Sequence, residues 1–193
     1  MVRPLLIAVT GAPCSGKTET MELLKIAKGF PPVYLVPEAP TYLCTGKRPL
    51  HQKPDFTDPY QLSCFDKLVY ESRKLSAMQG RDLSEYEFVL FDRGTLDGSV
   101  YSGDFFRMND TTIERELSRY DGVILMNTFA GTEFYNHDNQ CRSETAEEAL
   151  EIERKLREVY RGHPNFFEVW ADMNNLKRAS VLMKKIQEWR EIC

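Results

Sequence analysis

The chain has 193 residues, of which 42% are hydrophobic and 28% are charged, and its formal net charge is −4. A chain of this length buries about 70% of its unfolded surface, so we expect one domain over residues 1–193 that folds without disulfides or a structural metal. The acidic balance and the lack of a basic stripe argue against a nucleic-acid binder. No apolar run approaches the length of a membrane span or a secretory signal. We therefore expect a protein with no integral membrane segment whose partner is a small molecule.

The cysteines indicate a cytoplasmic location. They are odd in number, widely scattered and never spaced as C-x-x-C pairs, which is typical of free thiols in a reducing cytosol. Their positions are Cys14, Cys44, Cys64, Cys141 and Cys193. The three histidines, His51, His137 and His163, have no metal-ligand spacing. We expect each to form hydrogen bonds in a loop rather than to bind a metal.

Five short apolar runs, rich in β-forming residues, predict five strands. Longer helical or polar stretches separate them, and the runs do not alternate with polar residues, which favours parallel strands covered by helices on both faces. The predicted strands are Leu5 to Thr10, Val33 to Val36, Phe88 to Phe91, Val123 to Asn127 and Phe166 to Trp170. This order predicts a doubly wound α/β domain with a mostly parallel five-stranded sheet.

The first predicted strand leads into a glycine-rich loop, GAPCSGKT, which fits the pattern G-x-x-x-x-G-K-[ST] and precedes a helical run. The two glycines let the backbone wrap closely around phosphate oxygens, Lys17 supplies positive charge to the β- and γ-phosphates, and Thr18 offers its hydroxyl to Mg²⁺. The predicted nucleotide-binding residues are Gly11, Ala12, Pro13, Cys14, Ser15, Gly16, Lys17, Thr18 and Glu19. Cys14 is either a small residue that suits the loop or a reactive thiol.

The second predicted strand ends just before Glu38, in the segment VYLVPEAP. An acid at the carboxyl edge of a parallel sheet can accept the proton of an attacking hydroxyl, so Glu38 is a candidate general base. The alternative is a cap or turn held by the flanking prolines. The loop from Pro37 to Pro59 is longer than most connections, which is typical of a binding loop.

The third predicted strand has Asp92 at its carboxyl end, with Arg93 beside it, in the segment FVLFDRG. Open parallel sheets bind their ligands at this edge. Asp92 can hold Mg²⁺ together with Thr18, and Arg93 can reach a phosphate through a bidentate fork. A plain Asp-Arg surface turn is the alternative interpretation.

A polar loop from Phe129 to Arg142 follows the fourth predicted strand and is predicted to be a lid of about residues 129–142. Arg142 could close over a triphosphate and stabilise the charge that develops during transfer. Alternatively, Arg142 and Glu144 only cap the helix that comes next. The two interpretations stay open.

Two long helices are predicted in the last third of the chain. The first, from Glu144 to Tyr160, carries the pairs Glu151 with Lys155 and Glu153 with Arg157, which are typical of a solvated face. The second has Asp172 or Asn174 available as its cap. Its predicted core-facing residues are Leu176, Ala179, Leu182, Met183, Ile186 and Trp189.

Taken together, GAPCSGKT, VPEAP, FDRGTLDGSVYSGDFF, the arginine loop and YRGHPNFFEV resemble a family of P-loop AAA-domain ATPase/kinase-like proteins. That family is allied to ribosylnicotinamide kinases and, more distantly, to deoxynucleoside kinases. The resemblance covers nearly the whole chain, although only the glycine-rich motif is specific alone. It implies a three-layer P-loop NTPase fold of nucleoside-kinase type.

In deoxynucleoside kinases, an acid after the second strand acts as base, and an acid-arginine pair after the third binds Mg²⁺ and phosphate. Glu38, Asp92 and Arg93 match those places. Gly94 departs from the serine that usually follows the pair, and the lid has the single arginine Arg142 where several are common. The helix after the pair would contain Asp97, Tyr101 and Phe105, of which the two aromatic residues can equally belong to the core.

The resemblance therefore implies one of two functions. The first is a kinase that transfers the γ-phosphate of ATP or GTP to a nucleoside-like or other small hydroxyl-bearing substrate. Its catalytic residues would be Lys17, Glu38, Asp92, Arg93 and Arg142, with Thr18 and Asp92 as the metal ligands. The second is a regulatory ATP- or GTP-binding NTPase switch without such an acceptor. The choice between ATP and GTP and the oligomeric state stay open.

Overall fold

Five parallel strands form one sheet in the computed structural model, which describes residues 3–36, 83–101, 103–132 and 145–192. The strands are β1 (Leu5–Thr10), β2 (Val33–Val36), β3 (Phe88–Asp92), β4 (Gly122–Met126) and β5 (Phe166–Val169). They lie in the order β2-β3-β1-β4-β5, and every pairing is parallel. The predicted α/β fold is confirmed, with a sheet that is wholly rather than mostly parallel.

Six helices lie in the described part of the chain. They are α1 (Lys17–Ile26), α2 (Asp97–Tyr101), α3 (Phe105–Asn109), α4 (Ile113–Leu117), α5 (Ala146–Tyr160) and α6 (Asn175–Ile192). None of these helices is long and apolar enough to cross a bilayer.

Side-chain caps explain where the two long helices begin. The Thr145 hydroxyl accepts a hydrogen bond from the Glu148 amide, and the Glu148 carboxylate accepts one from the Thr145 amide, which forms a capping box before α5. At α6 the Asn174 side-chain oxygen accepts a 3.0 Å hydrogen bond from the Lys177 amide. The predicted helix starts are therefore correct to within two residues, with Asn174 rather than Asp172 next to the start of α6.

Two apolar clusters cover the two faces of the sheet, as expected for strands that are apolar throughout. One is packed against α1 and α6 and the other against α2 to α5. Phe105 is fully buried in the second cluster and is therefore a core residue. On α6 the predicted core residues Ala179, Leu182, Ile186 and Trp189 are buried and Met183 is partly buried, whereas Leu176 is 69% exposed, so that assignment is wrong.

The strand boundaries that differ from the predicted ones do so by single residues. Strand β4 begins at Gly122, and the Trp189 ring of α6 lies so close to it that a Cβ at position 122 would be 2.3 Å from a ring carbon. Strand β5 ends at Val169, so Trp170 follows the strand and is 59% exposed.

Candidate functional site

The ends of β1, β3 and β4 bring the glycine-rich loop and the acid of FVLFDRG to the same edge of the sheet. Val9 of β1 is paired with Asp92 of β3, and Thr10 with Leu125 of β4. The loop occupies residues 11–16, and α1 begins at Lys17. This strand, loop and helix order is the context that the phosphate-binding motif requires.

Both motif glycines are required by the geometry of the loop. A Cβ at Gly11 would lie 2.5 Å from the Met126 carbonyl oxygen, so only glycine lets β1 turn so close to β4. Gly16 has φ of 66°, in the left-handed region that glycine adopts without strain. Cys14 is also left-handed, with φ of 59°, and its side chain is buried, so most of it is withdrawn from solvent.

Three successive carbonyls of the loop, those of residues 13–15, each accept a hydrogen bond from outside the loop. The donors are, in order, the Thr128 hydroxyl, the Phe129 amide at 3.0 Å and the Arg178 guanidinium at 2.7 Å. The segment after β4 and helix α6 therefore hold the backbone of the loop from behind. Thr128 and Arg178 were not among the residues that the sequence indicated, and Phe129 was indicated only as the first residue of the predicted lid.

The predicted metal-binding residues lie in contact with each other. The Thr18 hydroxyl donates a 2.7 Å hydrogen bond to Asp92 Oδ2, and Lys17 Nζ lies 3.9 Å from Asp92 Oδ1. Asp92 is only 4% exposed. Across the described ranges there is no cluster of three or more His, Cys, Asp or Glu that could hold a metal. A hydroxyl and one carboxylate fit Mg²⁺, which is usually bound by few protein groups together with water and phosphate oxygens.

Arg93 lies beside the site and contacts protein groups. Its backbone is left-handed, with φ of 74°, and its side chain is 14% exposed. The guanidinium lies 3.4 Å from Asp97 Oδ2 and 3.4 Å from the Tyr101 hydroxyl. Asp97 and Tyr101 therefore hold the cation that the sequence predicted to reach a phosphate.

The buried side chain of Asp97, on α2, forms hydrogen bonds to three other parts of the fold. Its carboxylate accepts hydrogen bonds from the Thr10 hydroxyl at 2.8 Å, the Tyr160 hydroxyl at 2.8 Å and the Gly94 amide at 3.0 Å. It is 2% exposed, so these bonds and Arg93 replace the water that it loses. Asp97 thus joins β1, α5 and the turn after β3.

The same junction explains why glycine rather than serine follows the acid-arginine pair. A Cβ at Gly94 would lie 2.2 Å from the Tyr160 hydroxyl oxygen and 3.1 Å from the Ala8 Cβ. Both Tyr160 and Ala8 are fully buried and cannot move away cheaply. The departure from the deoxynucleoside-kinase pattern is therefore a packing requirement of this chain.

Arg178 is a fully buried cation that the sequence analysis missed. Besides the Ser15 carbonyl, its guanidinium donates to the carbonyls of Asn127 at 2.7 Å and Val169 at 3.2 Å, and it lies over the Phe129 ring at 4.7 Å. Burial lowers the pKa of Arg178 to about 10, although the Glu153 and Asp172 charges act in the opposite direction, and the group stays protonated at neutral pH. Its one sequence signal is its position on the buried face of α6, four residues before Leu182.

The prediction that Glu153 lies on a solvated face of α5 is wrong. Glu153 is 6% exposed, accepts a 2.5 Å hydrogen bond from the Thr128 amide, and forms a 3.0 Å ion pair with Arg157, which also contacts Glu168. Glu151 and Lys155 do lie on the exposed face, with 3.7 Å between their charged atoms. Glu153 therefore positions the segment whose Thr128 hydroxyl holds the loop.

Of the remaining predicted residues, some lie in the part of the chain that the structure describes and some do not. Glu19 lies in the first turn of α1, where its carboxylate accepts a 3.4 Å hydrogen bond from the Asn175 side chain. Glu38 and Arg142 lie outside the described residues, as do His51 and His137. His163 accepts a hydrogen bond from the Asn165 amide, and its other ring nitrogen lies 3.0 Å from the Tyr120 carbonyl oxygen, which fits the predicted structural role.

The sequence model of the AAA domain family matches residues 6–175 of the chain. The chain belongs to this family. The AAA domain match spans the glycine-rich loop, Asp92 and Arg93, and ends at the first residue of α6. No curated protein matches the sequence significantly.

The solved structures that resemble this AAA domain protein include a deoxyadenosine kinase and a shikimate kinase. The deoxyadenosine kinase from M. mycoides with bound dATP has a TM-score of 0.58 and 16% identity, over 95% of this chain and 99% of that chain. The shikimate kinase from Acinetobacter baumannii in complex with shikimate has a TM-score of 0.57 and 15% identity, over 96% of this chain and 92% of that chain. At these identities the likeness shows a shared P-loop kinase-like fold.

Proposed function

We propose that the chain binds a nucleoside triphosphate with Mg²⁺ at residues 11–19 and transfers the γ-phosphate of ATP or GTP to a nucleoside-like or other small hydroxyl-bearing acceptor. The observation that carries this proposal is the 2.7 Å hydrogen bond between Thr18 and Asp92 directly beside Lys17. It joins a hydroxyl, a carboxylate and an ammonium group at the start of α1, which is the set that a magnesium triphosphate needs.

The binding step follows from charge and backbone geometry. Lys17 would contact the β- and γ-phosphates, and the start of α1 adds its positive helix dipole. Thr18 and Asp92 would hold Mg²⁺, which when bound neutralises charge on the phosphate oxygens. Because Lys17 and Asp92 are buried, their charges are weakly screened by solvent, so that Lys17 would act strongly on a bound phosphate and Asp92 on Mg²⁺.

The transfer step needs an acceptor base and cations around the phosphate. Strand β2 ends at Val36, which is paired with Phe91, one residue before Asp92. Glu38 follows the last residue of β2 by two positions in the sequence, and on that ground we assign Glu38 as the base that accepts the acceptor's proton. Arg93 and Arg142 would stabilise charge on the transferring group, Arg93 after exchanging its Asp97 contact for a phosphate oxygen.

Nucleotide binding is tested by titration calorimetry with ATP and GTP in the presence of Mg²⁺. Lys17→Ala should weaken binding about tenfold to hundredfold, since it removes a charged hydrogen-bond donor. Lys25→Ala is the matched control, because Lys25 lies on the same helix, is half exposed and forms a 3.8 Å ion pair with the exposed Glu22. Equal affinity in wild type and Lys17→Ala would refute the site.

Phosphoryl transfer is tested separately by screening nucleosides and other hydroxyl-bearing metabolites with labelled ATP and GTP. A labelled product that disappears in Glu38→Gln supports the kinase assignment. If every acceptor fails while triphosphate binding is intact, the kinase assignment is wrong, and the regulatory NTPase switch becomes the better interpretation.

A further inference from the structure

We propose that Arg178 is a positioning residue of the phosphate loop, which holds the peptide between Ser15 and Gly16 in its phosphate-binding orientation. The proposal rests on the proposed nucleotide site at residues 11–19. Arg178 lies 163 positions from Ser15 in sequence, on the last helix, and no motif includes it. Its role follows from what its guanidinium contacts.

The guanidinium of Arg178 joins the loop to the ends of two strands. One terminal nitrogen donates to the Ser15 carbonyl, and the other donates to the carbonyls of Asn127 and Val169, just after β4 and at the end of β5. Only a planar fork with donors on separate nitrogens reaches all three carbonyls at once. Arg178 thereby fixes the position of the Ser15 carbonyl relative to the ends of these two strands.

Because the peptide group is planar, the contact between Arg178 and the Ser15 carbonyl also orients the Gly16 N–H donor. In a trans peptide the C=O and the next N–H point in opposite directions, so fixing the Ser15 carbonyl towards Arg178 fixes the Gly16 N–H towards the other side. Gly16 is left-handed and has no side chain that would stop the peptide from rotating. Arg178 supplies the restraint that Gly16 lacks.

The charge environment of Arg178 argues against a purely structural ion pair. Within the described ranges, no carboxylate lies within salt-bridge distance of Arg178, and its partners are backbone carbonyls and the Phe129 ring. The Glu153 and Asp172 charges act on Arg178 without forming an ion pair with it. A buried cation with no directly paired carboxylate is costly to the fold, and a well-packed apolar side chain would often be as stable. This cost to stability is consistent with a role for Arg178 in holding the anion-binding loop.

The neighbouring carbonyls support the same interpretation. Those of Pro13 and Cys14 are also held from behind, by the Thr128 hydroxyl and the Phe129 amide. Arg178 contacts both the third carbonyl of this series and the Phe129 ring. It therefore holds the loop directly and also packs against the segment that holds the rest of it.

The test compares Arg178→Lys and Arg178→Met with the matched control Arg190→Lys. Arg190 lies on the same helix and also donates to a backbone carbonyl, that of Arg3 at 3.0 Å, which precedes β1 and lies outside the phosphate loop. Two quantities are measured on the full chain: hydrogen exchange of the loop amides without ligand, and affinity for ATP and GTP with Mg²⁺. The thermal midpoint of each variant records global stability.

We expect both Arg178 variants to bind the triphosphate about tenfold more weakly, since one charged hydrogen bond to the loop is lost or misplaced. Exchange of the amides at 14–18 should speed up about tenfold while that of the β1 and β3 amides does not change. Lysine should not rescue either effect, because it keeps the charge but not the fork. Arg190→Lys should leave both quantities unchanged.

Unchanged loop exchange in Arg178→Lys, or an effect equal to that of Arg190→Lys, would overturn the proposal. If only Arg178→Met fails to fold, the lysine variant still decides. If the wild-type protein binds neither ATP nor GTP, the proposed function fails, and ligand-free exchange still decides whether Arg178 orders the loop.

Discussion

The Thr18 hydroxyl donates a hydrogen bond to Asp92 across 74 positions of sequence, and this bond joins the first turn of α1 to the end of β3. The pairing of Val9 with Asp92 makes it possible, because parallel register brings both groups to one edge of the sheet. The two residues were predicted as metal ligands from separate motifs. Their contact makes them one site, and it can be tested by changing either member.

Asp92→Asn should weaken magnesium-dependent triphosphate binding about tenfold to hundredfold, the range found when groups that support a metal are altered. The amide keeps the size of the side chain but loses the negative charge that attracts Mg²⁺. The measurement is triphosphate affinity with Mg²⁺ and with a chelator, in wild type and variant. A loss of equal size in both conditions would mean that Asp92 acts on the loop rather than on a metal.

Gly94→Ala should destabilise the chain by about 1–3 kcal/mol, the usual cost of overpacking a well-packed core. The added methyl would meet the Tyr160 hydroxyl at 2.2 Å. Removing that hydroxyl with Tyr160→Phe should relieve part of the cost, so the double variant should be less destabilised than the sum of the single variants. Denaturant unfolding of the four proteins measures this.

Gly103→Ala is the control for that cycle, because a Cβ at Gly103 meets nothing within 4 Å. Its effect should stay within about 0.5 kcal/mol, as for most surface substitutions. Strict additivity of Gly94→Ala and Tyr160→Phe would show that the clash is not with the hydroxyl.

Local patterns predicted the strands, both long helices and the glycine-rich loop, because each of these depends on residues that are close together in the sequence. Arg178 was missed because its partners, Ser15, Asn127 and Val169, are distant in sequence and contribute only backbone atoms. Backbone acceptors leave no side-chain signature that a motif could contain.

Glu153 and Leu176 were assigned to the wrong environments for a related reason. Glu153 belongs to a run of charged residues that looks uniformly solvated, and only the fold brings the Thr128 amide to it. Leu176 continues an apolar stripe, but it lies in the first turn of α6 and is exposed. Periodicity gives the face of a helix and not which of its turns are covered.

Glu153→Ala should lower the free energy of unfolding by about 1–3 kcal/mol, because it leaves the buried Thr128 amide without its acceptor. Arg157 keeps its contact with Glu168, so the loss falls mainly on that amide. Hydrogen exchange at residues 127–130 should rise as well. The exposed Glu147→Ala on the same helix provides the comparison, and equal losses in both variants would refute a specific role for Glu153.

The pH dependence of stability should show the contribution of Asp121, whose carboxylate accepts two hydrogen bonds from Arg3, at 2.6 and 2.7 Å, and one from the Leu6 amide at 2.8 Å. Partial burial acts to raise the pKa of Asp121, but the Arg3 hydrogen bonds and charge and the Leu6 amide outweigh it, and the pKa is lowered. The folded chain therefore binds this proton less tightly than the unfolded chain.

With that sign, the stabilisation from Asp121 is fully present above the pKa of an unfolded aspartate, about 4, and is lost as the pH falls through the lower folded value. Asp121→Asn should cost about 1 kcal/mol at pH 7, the scale of one charged hydrogen bond near the surface. The difference from wild type should shrink as the pH falls below about 4. Arg3→Met should reduce the same pH dependence, because it removes the main opposing charge. Urea unfolding of the three proteins at a series of pH values measures both effects, and a difference between wild type and Asp121→Asn that grows towards low pH would show that the sign is wrong.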